Sequence, residues 1–411
     1  GWYQIDGVKV PHQPLNPYTR TMDQKHIDIV KATTPVVEPL ARDITEHFYP
    51  LMFERYPAVK DYFNQSHQVV GSQRQAVANA FIAYAKNIER LDALGDAVAV
   101  IAHKHCSLGI QPEQYPIVGE CLLAAIAHVL GDAATEEVMG AWEAAFHQLA
   151  DILISVEAGI YQANNERLGG WRGERRFTLI RKVVESEVIS SFYLLPESGE
   201  KCIDFQPGQY IGVMLTIDGQ VHRRNYSLSA RPGLEGLRIS VKREPNGVVS
   251  NYLHDQLKEG DTLMVGAPCG EFVLNDSDRP LVLVTGGVGI TPAISMLDTT
   301  IASGREIVFV HAALNGRVHA FREHLERLAS THDNLKLRFV YEAPGKDDVY
   351  HAEGYIKESM LAELLPENHD VDFYFLGPKP FMKAVNRMAE NLSIPPKQVH
   401  YEFFGPLESL H

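Results

Sequence analysis

Residues 96–109, DAVAVIAHKHCSLG, decide how the N-terminal part of this chain is interpreted. At helical spacing, His105 shares one face of the segment with three apolar side chains, those of Val98, Ile101 and Ala102. The segment ends in a glycine, which commonly follows the last turn of a helix and here places His105 in that turn. A single histidine on an apolar face is more often a hydrogen-bonded core residue than a metal ligand, so this segment leaves both interpretations open.

The composition is ordinary for a globular protein of several domains. The chain has 411 residues, of which 45% are hydrophobic and 22% charged, and its formal net charge is −14. This charge argues against nucleic acid or an anionic membrane as the main partner. The four cysteines form no C-x-x-C pair, which favours a reducing, cytoplasmic location without disulfides. No apolar run approaches the roughly 18 residues of a membrane span, so we expect no transmembrane segment.

Residues 1–21 differ in composition from the chain that follows them. They are rich in proline and polar residues and lack the apolar centre of a signal peptide. We interpret them as a flexible N-terminal extension, of native or cloning origin, that lies outside the fold.

The segment 22–161 has helical periodicity throughout and predicts an all-α domain. Thr34 followed by Pro35 predicts a helix start, and Tyr49 lies beside the apolar stripe of that helix. In the last helix of the domain, Glu157 falls on an apolar stripe. Because an unpaired buried charge is costly, we expect this carboxylate to be paired or protonated.

Helical periodicity stops at a glycine-containing linker, residues 162–174. Short apolar segments separated by turn residues follow, such as RFTLIRKVV and PGQYIGVML, and predict an antiparallel β-barrel over residues 175–276. From residue 277 to residue 411 the pattern becomes strand, glycine turn and helix in alternation. This alternation predicts an α/β domain with a parallel sheet.

One tetrapeptide of the barrel, Arg224-Asn225-Tyr226-Ser227, offers a cation, an aromatic ring and a hydroxyl group on one strand. Together these groups could hold a phosphate and a flat ring. Four residues of this kind also occur in ordinary barrel strands, so the motif is weak when it stands alone.

Two glycine turns also suit a nucleotide cofactor. Residues 247–251, GVVSN, precede a short helix whose free N–H groups could receive a pyrophosphate. Residues 286–292, GGVGITP, follow an apolar strand. This second turn is not the G-x-G-x-x-G fingerprint, because Thr291 and Pro292 occupy the region of the third glycine. Pro292 instead suits the first position of the next helix.

The order of these motifs, from PGQY and RNYS to GGVGITP and the terminal YEFFGP, resembles the ferredoxin reductase-like flavoenzymes over about residues 175–406. The resemblance implies a barrel that binds one FAD and an α/β domain that binds NADH or NADPH. It assigns the flavin nucleotide to Tyr210, Arg224, Asn225, Tyr226, Ser227, Gly247 and Ser250. It assigns the nicotinamide nucleotide to Gly287, Val288, Gly289, Ile290, Thr291 and Pro292. It also implies cofactor contacts from Phe403, Gly405 and Pro406, with Phe404 shielding the flavin ring.

With the helical half included, residues from about 22 to 406 look like a flavohaemoglobin, on segments such as HFYPLMF, AHKHCS and VEAGIY. The resemblance implies one haem b whose iron is bound by His105. It assigns the other haem-pocket roles as follows: Tyr49 as the distal hydroxyl, Phe63 packing on the haem, Gln73 and Val77 lining the distal pocket, Tyr115 with Glu157 as a relay behind the ligand, and Lys104 with Glu402 near the haem–flavin interface. The chain departs from the family at Val77, where leucine is common, and at Leu376, where cysteine often stands.

The family resemblance implies a nitric oxide dioxygenase with three small-molecule substrates: O2, nitric oxide and NAD(P)H. NAD(P)H would reduce FAD, FAD would reduce the haem one electron at a time, and ferrous haem would bind the O2 that converts nitric oxide to nitrate. An oxygen carrier or gas sensor is a second hypothesis, disfavoured because a carrier needs no built-in reductase. A third is a reductase that passes electrons to ferric iron or a quinone. We expect no obligate protein partner.

The preference between NADH and NADPH stays open in the sequence. No ribose-proximal acid can be placed, and Arg317, after the strand IVFVH, is only a candidate for contacting a 2′-phosphate. The oligomeric state is also left open.

Overall fold

The computed structural model describes residues 2–5, 8–11, 22–63, 75–200 and 203–403. The chain forms two compact units, one of residues 1–166, 171–174 and 212–225, and one of residues 167–170, 175–211 and 226–411. Each unit contains its own hydrophobic core. Four of the predicted site residues lie outside the described residues, namely Gln73, Phe404, Gly405 and Pro406.

Two short strands occur where the sequence predicted a flexible extension. Strand β1 (Trp2–Ile5) pairs antiparallel with β2 (Val8–Pro11). These two strands form a sheet of their own, and the assignment of residues 1–21 to an extension stays a prediction. Between them the sequence reads Asp6-Gly7, the dipeptide most typical of tight hairpins, flanked by aromatic and β-branched residues that favour strands.

The first unit contains the predicted all-α domain. Its helices are α1 (Gln24–Val37), α2 (Ala41–Arg55), α3 (Ala76–Lys86), α4 (Gly95–Leu108), α5 (Gln114–Leu130) and α6 (Glu136–Glu166). Helix α2 packs against α5, and α6 packs against α1 and α4. Large apolar side chains such as Phe48, Met52 and Trp142 are almost completely buried between them. Burial of these faces is the main source of the domain's stability.

Two helix boundaries differ from the sequence prediction. Helix α1 does not begin at Thr34-Pro35 but runs through Pro35, because it starts at Asp23, whose carboxylate accepts a hydrogen bond from the His26 N–H group at 3.0 Å. Helix α6 continues to Glu166, into the predicted linker, since the first helix-breaking residues after it are the glycines at 169 and 170.

One stretch, Gln114–Ala133, is long and apolar enough to cross a membrane, with a mean hydropathy of 1.4. It consists of α5 and the turn that follows. Its side chains Cys121, Leu122, Ala125 and Ile126 are buried in the helical core. Core helices of globular proteins share this length and composition, so the stretch is weak evidence for a membrane span.

An antiparallel six-stranded sheet follows the helices, as predicted for the second domain. Its strands are β3 (Glu174–Val184), β4 (Ile189–Pro196), β5 (Tyr210–Ile217), β6 (Gln220–Ser227), β7 (Leu237–Lys242) and β8 (Thr262–Gly266), with the short helix α7 (Val248–Asp255) between β7 and β8. The strand order is β6-β5-β8-β3-β4-β7. Register shifts between Leu179 and Arg181 mark a bulge in β3, a device that helps such sheets to curl.

The second unit also contains the predicted parallel sheet. Its strands are β9 (Leu281–Gly286), β10 (Ile307–Ala313), β11 (Leu335–Tyr341), β12 (Ala352–Glu353), β13 (Asp372–Leu376) and β14 (Val399–Tyr401), and its helices are α8 (Ile290–Thr300), α9 (Arg322–Thr331), α10 (Glu358–Leu364) and α11 (Lys379–Asn391). The strand order is β12-β11-β10-β9-β13-β14. The chain adds β10, β11 and β12 on one side of β9 and then crosses to the other side for β13 and β14, so the topological switch point lies between β9 and β13. In open parallel sheets, ligands bind at the carboxyl ends of the strands at this switch point.

Candidate functional site

His105 lies in the last turn of α4, as the sequence predicted. The helix ends at Gly109, whose φ of +80° is a left-handed conformation that glycine adopts without steric cost. The His105 side chain keeps 33% of its surface exposed, although its neighbours Ala102 and Cys106 are buried. An imidazole is thus presented at the surface of an otherwise packed helix face.

The structure brings His105, Tyr115 and Glu157 together. The Nδ1 atom of His105 lies 3.2 Å from Glu157 Oε2 and 3.1 Å from the Tyr115 hydroxyl oxygen. Tyr115 donates its hydroxyl proton to Glu157, at 2.7 Å from Oε2. The buried carboxylate thereby has two hydrogen-bond partners, which offsets the cost of removing its charge from water.

The protonation of these groups follows from their surroundings. Burial and the adjacent Glu157 carboxylate raise the pKa of Tyr115 well above its usual range, so the phenol stays a donor. The tautomer of His105 that donates from Nδ1 to Glu157 leaves the lone pair of Nε2 available. Both hydrogen bonds of the ring use Nδ1, so the residues present fit a metal ion bound at Nε2.

A group of aromatic side chains surrounds Tyr49 in the same helical unit. The Tyr49 ring centroid lies 5.6 Å from that of Phe63 and 5.8 Å from that of Phe53. Tyr49 is buried, whereas Phe63 and Val77 are partly buried against the same core. The structure thus places three of the predicted distal-pocket residues on that core, and the fourth, Gln73, lies outside the described residues.

The predicted flavin motif occupies the end of strand β6. Ser227 is buried, and its hydroxyl has no hydrogen-bond partner among the residues that the structure describes. Such a group costs free energy unless a ligand satisfies it. Tyr210, also buried, is the first residue of β5 and forms a two-hydrogen-bond bridge with Cys269. Arg224 and Tyr226 are half-buried on β6.

The turn before α7 has the geometry of an anion site. Gly247 precedes the helix and offers no side chain to cap it, so the first N–H groups of α7 can receive a phosphate. Ser250 is buried and accepts a hydrogen bond from the Glu244 N–H group at 3.0 Å. Its hydroxyl proton is left to donate to a ligand. The unpartnered Ser227 hydroxyl and this helix terminus fit a dinucleotide.

The GGVGITP segment lies at the switch point of the parallel sheet. Gly287–Gly289 forms a tight turn directly after β9, with φ of +55° at Gly287. A Cβ atom on Gly289 would lie 2.2 Å from the backbone oxygen of Leu376, the last residue of β13. Only glycine therefore fits between the two neighbouring strand ends, where a nucleotide is expected in this fold.

The other residues of this segment start helix α8. Ile290, Thr291 and Pro292 are buried in its first turn, and Val288 is partly buried. Thr291 donates its hydroxyl to the Val288 carbonyl at 3.1 Å. These side chains hold the turn in place, so the groups left to contact a nucleotide are backbone N–H groups.

The remaining predicted residues are spread over both units. Lys104 is half-buried on α4, in the first unit. Glu402 and Phe403 are half-buried after β14, in the second, where Phe403 packs on the core of the parallel sheet. Arg317 is 77% exposed, and its Nε atom lies 3.9 Å from Glu187 Oε2.

A buried pair of histidines was not anticipated from the sequence. His311 on β10 and His319 have ring centroids 4.5 Å apart, and the Nε2 atom of each has no hydrogen-bond partner among the described residues. The other nitrogens are paired: His311 Nδ1 with the Thr285 hydroxyl and His319 Nδ1 with the Tyr341 hydroxyl, each at 2.7 Å. Burial lowers the pKa of His311 to about 3 and that of His319 to about 2.

We expect this pair to make the parallel-sheet region sensitive to acid. Both rings stay neutral in the folded protein, whereas the unfolded chain binds protons below the ordinary pKa of 6.5, so stability is lost as the pH falls. Between pH 7 and pH 5 the two groups together lose on the order of 4 kcal/mol, at 1.36 kcal/mol per pKa unit. Hydrogen-exchange protection of the β10 and β11 amides at the two pH values measures this loss.

A His319→Gln variant should lose about half of this pH dependence. The matched control is His26→Gln, because His26 lies on α1, outside the parallel-sheet region. Equal protection at pH 7 and pH 5, after correction for intrinsic exchange rates, would contradict the expectation.

Three family models match the chain in succession. A globin model matches residues 46–153, an oxidoreductase FAD-binding domain model matches residues 176–274, and an oxidoreductase NAD-binding domain model matches residues 283–387. The unpartnered Ser227 hydroxyl falls in the second match and the Gly287–Gly289 turn in the third.

Proteins with similar sequences match along their full length. A flavohemoprotein of Burkholderia sp. (strain TH2) is 52% identical over 391 residues, covering 95% of this chain and 100% of its own. A flavohemoprotein of Pseudomonas aeruginosa is 51% identical, covering 93% of this chain and 98% of its own.

Solved structures show the same architecture. The flavohemoglobin of Malassezia yamatoensis, crystallised with bound FAD and heme, matches with a TM-score of 0.82 at 26% identity, over 93% of this chain and 99% of that one. The flavohem-like FAD/NAD-binding domain of a nitric oxide dioxygenase from Vibrio cholerae matches with a TM-score of 0.53 at 36% identity. It covers 56% of this chain and 99% of its own.

Proposed function

Because this chain belongs to the flavohemoprotein family, we propose that it is a nitric oxide dioxygenase that converts nitric oxide and O2 to nitrate with electrons from NADH or NADPH. The chain is an oxidoreductase with a globin domain that holds haem, an FAD-binding domain and an NAD-binding domain. We place the activity in the cytoplasm, with small molecules as the substrates.

The observation that carries this proposal is the hydrogen bonding of His105 to buried Glu157 and Tyr115. When bound, FAD accepts a hydride equivalent from NAD(P)H and gives up single electrons, and the haem iron supplies the place where O2 and nitric oxide react. A histidine whose Nδ1 proton is held by a carboxylate is a stronger electron donor through Nε2. This arrangement favours oxygen chemistry over reversible oxygen transport.

The residues around Tyr49 suit the distal side of a haem, opposite the proposed ligand His105. The phenol can donate a hydrogen bond to O2 as negative charge develops on it. Packing against Phe53 and Phe63 fixes the ring and keeps water away. We assign Tyr49 the stabilisation of O2, and Phe63 and Val77 the shaping of the pocket.

In the reductase part we assign the binding of FAD to the β6 motif and to the turn before α7. The Ser227 hydroxyl, which has no partner among the described residues, would form a hydrogen bond with the flavin nucleotide. Arg224, the cation of the motif, would face a phosphate group. Gly247 would leave the helix N-terminus open to the pyrophosphate. The nicotinamide nucleotide would bind over the Gly287–Gly289 turn.

A reductase that serves an external acceptor, such as ferric iron or a quinone, is the alternative with the same cofactors. Stopped-flow mixing separates the two. The reduced, oxygen-equilibrated protein is mixed with nitric oxide, and rapid stoichiometric formation of nitrate supports the dioxygenase. Decay no faster than autoxidation, together with rapid reduction of an added quinone, supports the alternative.

A Tyr49→Phe variant tests the role of the distal phenol. The change keeps the ring and removes one hydrogen bond to a partly charged partner, worth about 1.5 to 3 kcal/mol, so O2 should dissociate roughly ten to a hundred times faster. Flash photolysis measures this rate. Reduction of FAD by NADH should be unchanged.

The matched control is Tyr56→Phe. Tyr56 directly follows α2, the helix that contains Tyr49, but its hydroxyl donates to Glu120 at the exposed surface of the domain. An O2 dissociation rate in Tyr49→Phe within about twofold of both the parent and the control would show that Tyr49 is only a core aromatic.

A further inference from the structure

The end of helix α4 contacts the strand segment 212–225, which belongs to the same compact unit. The Ser107 hydroxyl lies 2.7 Å from the Asn225 side-chain amide and 2.9 Å from the Lys104 carbonyl oxygen. Ser107 is two residues beyond His105, and Asn225 is next to Arg224 in the strand to which flavin binding is assigned. The hydrogen bond thus joins the helix of the proposed iron ligand to the strand of the proposed flavin site.

The Ser107 hydroxyl has two acceptors within hydrogen-bond distance. The hydroxyl has one proton, and the Lys104 carbonyl can only accept it. Asn225 Oδ1, at 2.7 Å, accepts the same proton, so the Ser107 hydroxyl donates to two acceptors in a three-centre hydrogen bond. Ser107 is 4% exposed, so water cannot easily replace either bond. A hydrogen bond from a buried serine hydroxyl restricts the geometry of the groups that it joins.

At Gly212, the backbone of β5 contacts the backbone of α4. A Cβ atom on this residue would lie 1.7 Å from the Ser107 carbonyl oxygen and 3.5 Å from the Asn225 amide oxygen position. Any other residue would force the strand and the end of α4 apart. The glycine therefore allows β5 to lie directly on the last turn of α4.

Arg223 supplies a second attachment of the same segment. Its guanidinium lies 4.1 Å from the centre of the Tyr62 ring, and its Nε atom lies 3.6 Å from Glu174 Oε1. Tyr62 immediately precedes Phe63 of the proposed haem pocket. The Arg223 side chain is 12% exposed, so these interactions are little screened by solvent. The segment is thus held at two separate places on the helical domain.

We propose that Ser107 and Asn225 are positioning residues for electron transfer between flavin and haem. They would hold the end of α4, which carries the proposed haem ligand His105, in fixed register with β6, which carries the proposed flavin residue Arg224. Bound FAD would supply single electrons to bound haem. This inference rests on the electron route of the proposed function and not on the reaction with nitric oxide. Loss of the hydrogen bond through a change at Ser107 should slow haem reduction and leave the preceding reduction of FAD unchanged.

The test uses the purified, cofactor-loaded protein with Ser107→Ala, Asn225→Ala and the double change. Anaerobic stopped-flow mixing with NADH follows flavin bleaching and haem reduction as separate signals. In Ser107→Ala, which leaves the assigned flavin residues intact, we expect haem reduction to slow about fivefold, the value of one hydrogen bond, with flavin bleaching unchanged; Asn225→Ala should slow haem reduction by at least as much. The double variant should be no slower than the single ones, because both changes break the same bond.

Hydrogen exchange gives a readout that does not depend on turnover. The amides of Gly109 and Ile110, which bond to the Cys106 and His105 carbonyls, should exchange faster in both single variants. An Asn225→Gln variant, which keeps the amide, should recover part of the rate. The control is Ser191→Ala, which removes a buried serine–serine hydrogen bond between β4 and β7.

Failure of this inference can be told apart from failure of the proposed function. If the parent protein does not reduce its haem with NADH, the electron route itself is wrong. If the parent does so and the single variants match Ser191→Ala within twofold in haem reduction and in amide exchange, Ser107 and Asn225 have no positioning role. If the double variant reduces its haem more slowly than either single variant, the two residues do not act through one shared hydrogen bond, and the inference is also wrong.

Discussion

Replacing His105 by alanine is expected to give a protein that keeps its flavin and loses most of its haem. His105 is the proposed iron ligand, since its Nδ1 contacts Glu157 and Tyr115 and its Nε2 has no part in those contacts. Removing a hydrogen-bonding partner behind a metal ligand costs about ten- to a hundredfold in affinity, so removing the ligand itself should cost more than about a hundredfold. The absorbance spectrum of the purified protein measures the haem band and the flavin band together.

The control for this change is His147→Ala. His147 lies on α6 of the same domain and pairs only loosely with Glu143, at 3.5 Å. Its haem band should match that of the parent. An unaltered haem band in His105→Ala would remove His105 from the site and with it the role assigned to Glu157.

Replacing Gly289 by alanine is expected to lower NADH-dependent flavin reduction by about a hundredfold, the cost of misplacing reacting groups by about 1 Å. The added Cβ would lie 2.2 Å from the Leu376 carbonyl oxygen, so the nucleotide turn must move away from β13. Because the change lies outside the sheet that binds FAD, flavin content should be retained. Stopped-flow bleaching of the flavin by NADH measures the effect, and dithionite should still reduce the protein fully.

Gly140→Ala serves as the matched control for the added methyl group. No atom lies within 4 Å of a Cβ at this position, which is inside helix α6, and alanine favours helix formation. A Gly289→Ala protein that is reduced as fast as this control would show that the nucleotide does not depend on the turn.

Local signals in the sequence were sufficient to predict the structural class of each of the three domains. The face shared by His105 with Ile101 and Ala102 predicts a helix, and the glycine at 109 predicts its end. The carboxylate of Glu157 was expected to be paired because it lies on an apolar stripe, and the structure gives it two donors. Such inferences succeed because periodicity and desolvation act within a few residues of chain.

Signals that compete with one another produced the errors. Thr34-Pro35 has the composition of a helix start, but the Asp23 cap and the apolar residues after it begin the helix earlier, and the helix accommodates the proline. In residues 1–21 the proline and polar content favours an extension, whereas the dipeptide Asp6-Gly7 favours the pairing of β1 with β2. Composition describes a segment of this length less well than its turn dipeptide does.

Contacts between distant parts of the chain could not be predicted. Ser107 and Asn225 are 118 residues apart, and neither has a local feature that points to the other. The pairing of His311 with His319 likewise depends on the loop that follows β10. Glycine at position 212 was a possible clue, since a glycine within a strand often marks a close approach of another backbone.

Isotope labelling of the product tests the central proposal most directly. The purified protein is supplied with NADH, nitric oxide and O2 labelled with oxygen-18, and nitrate is analysed by mass spectrometry. The account predicts nitrate that carries two labelled oxygen atoms and one from nitric oxide, formed in proportion to the NADH consumed. NADH consumption without doubly labelled nitrate would contradict it.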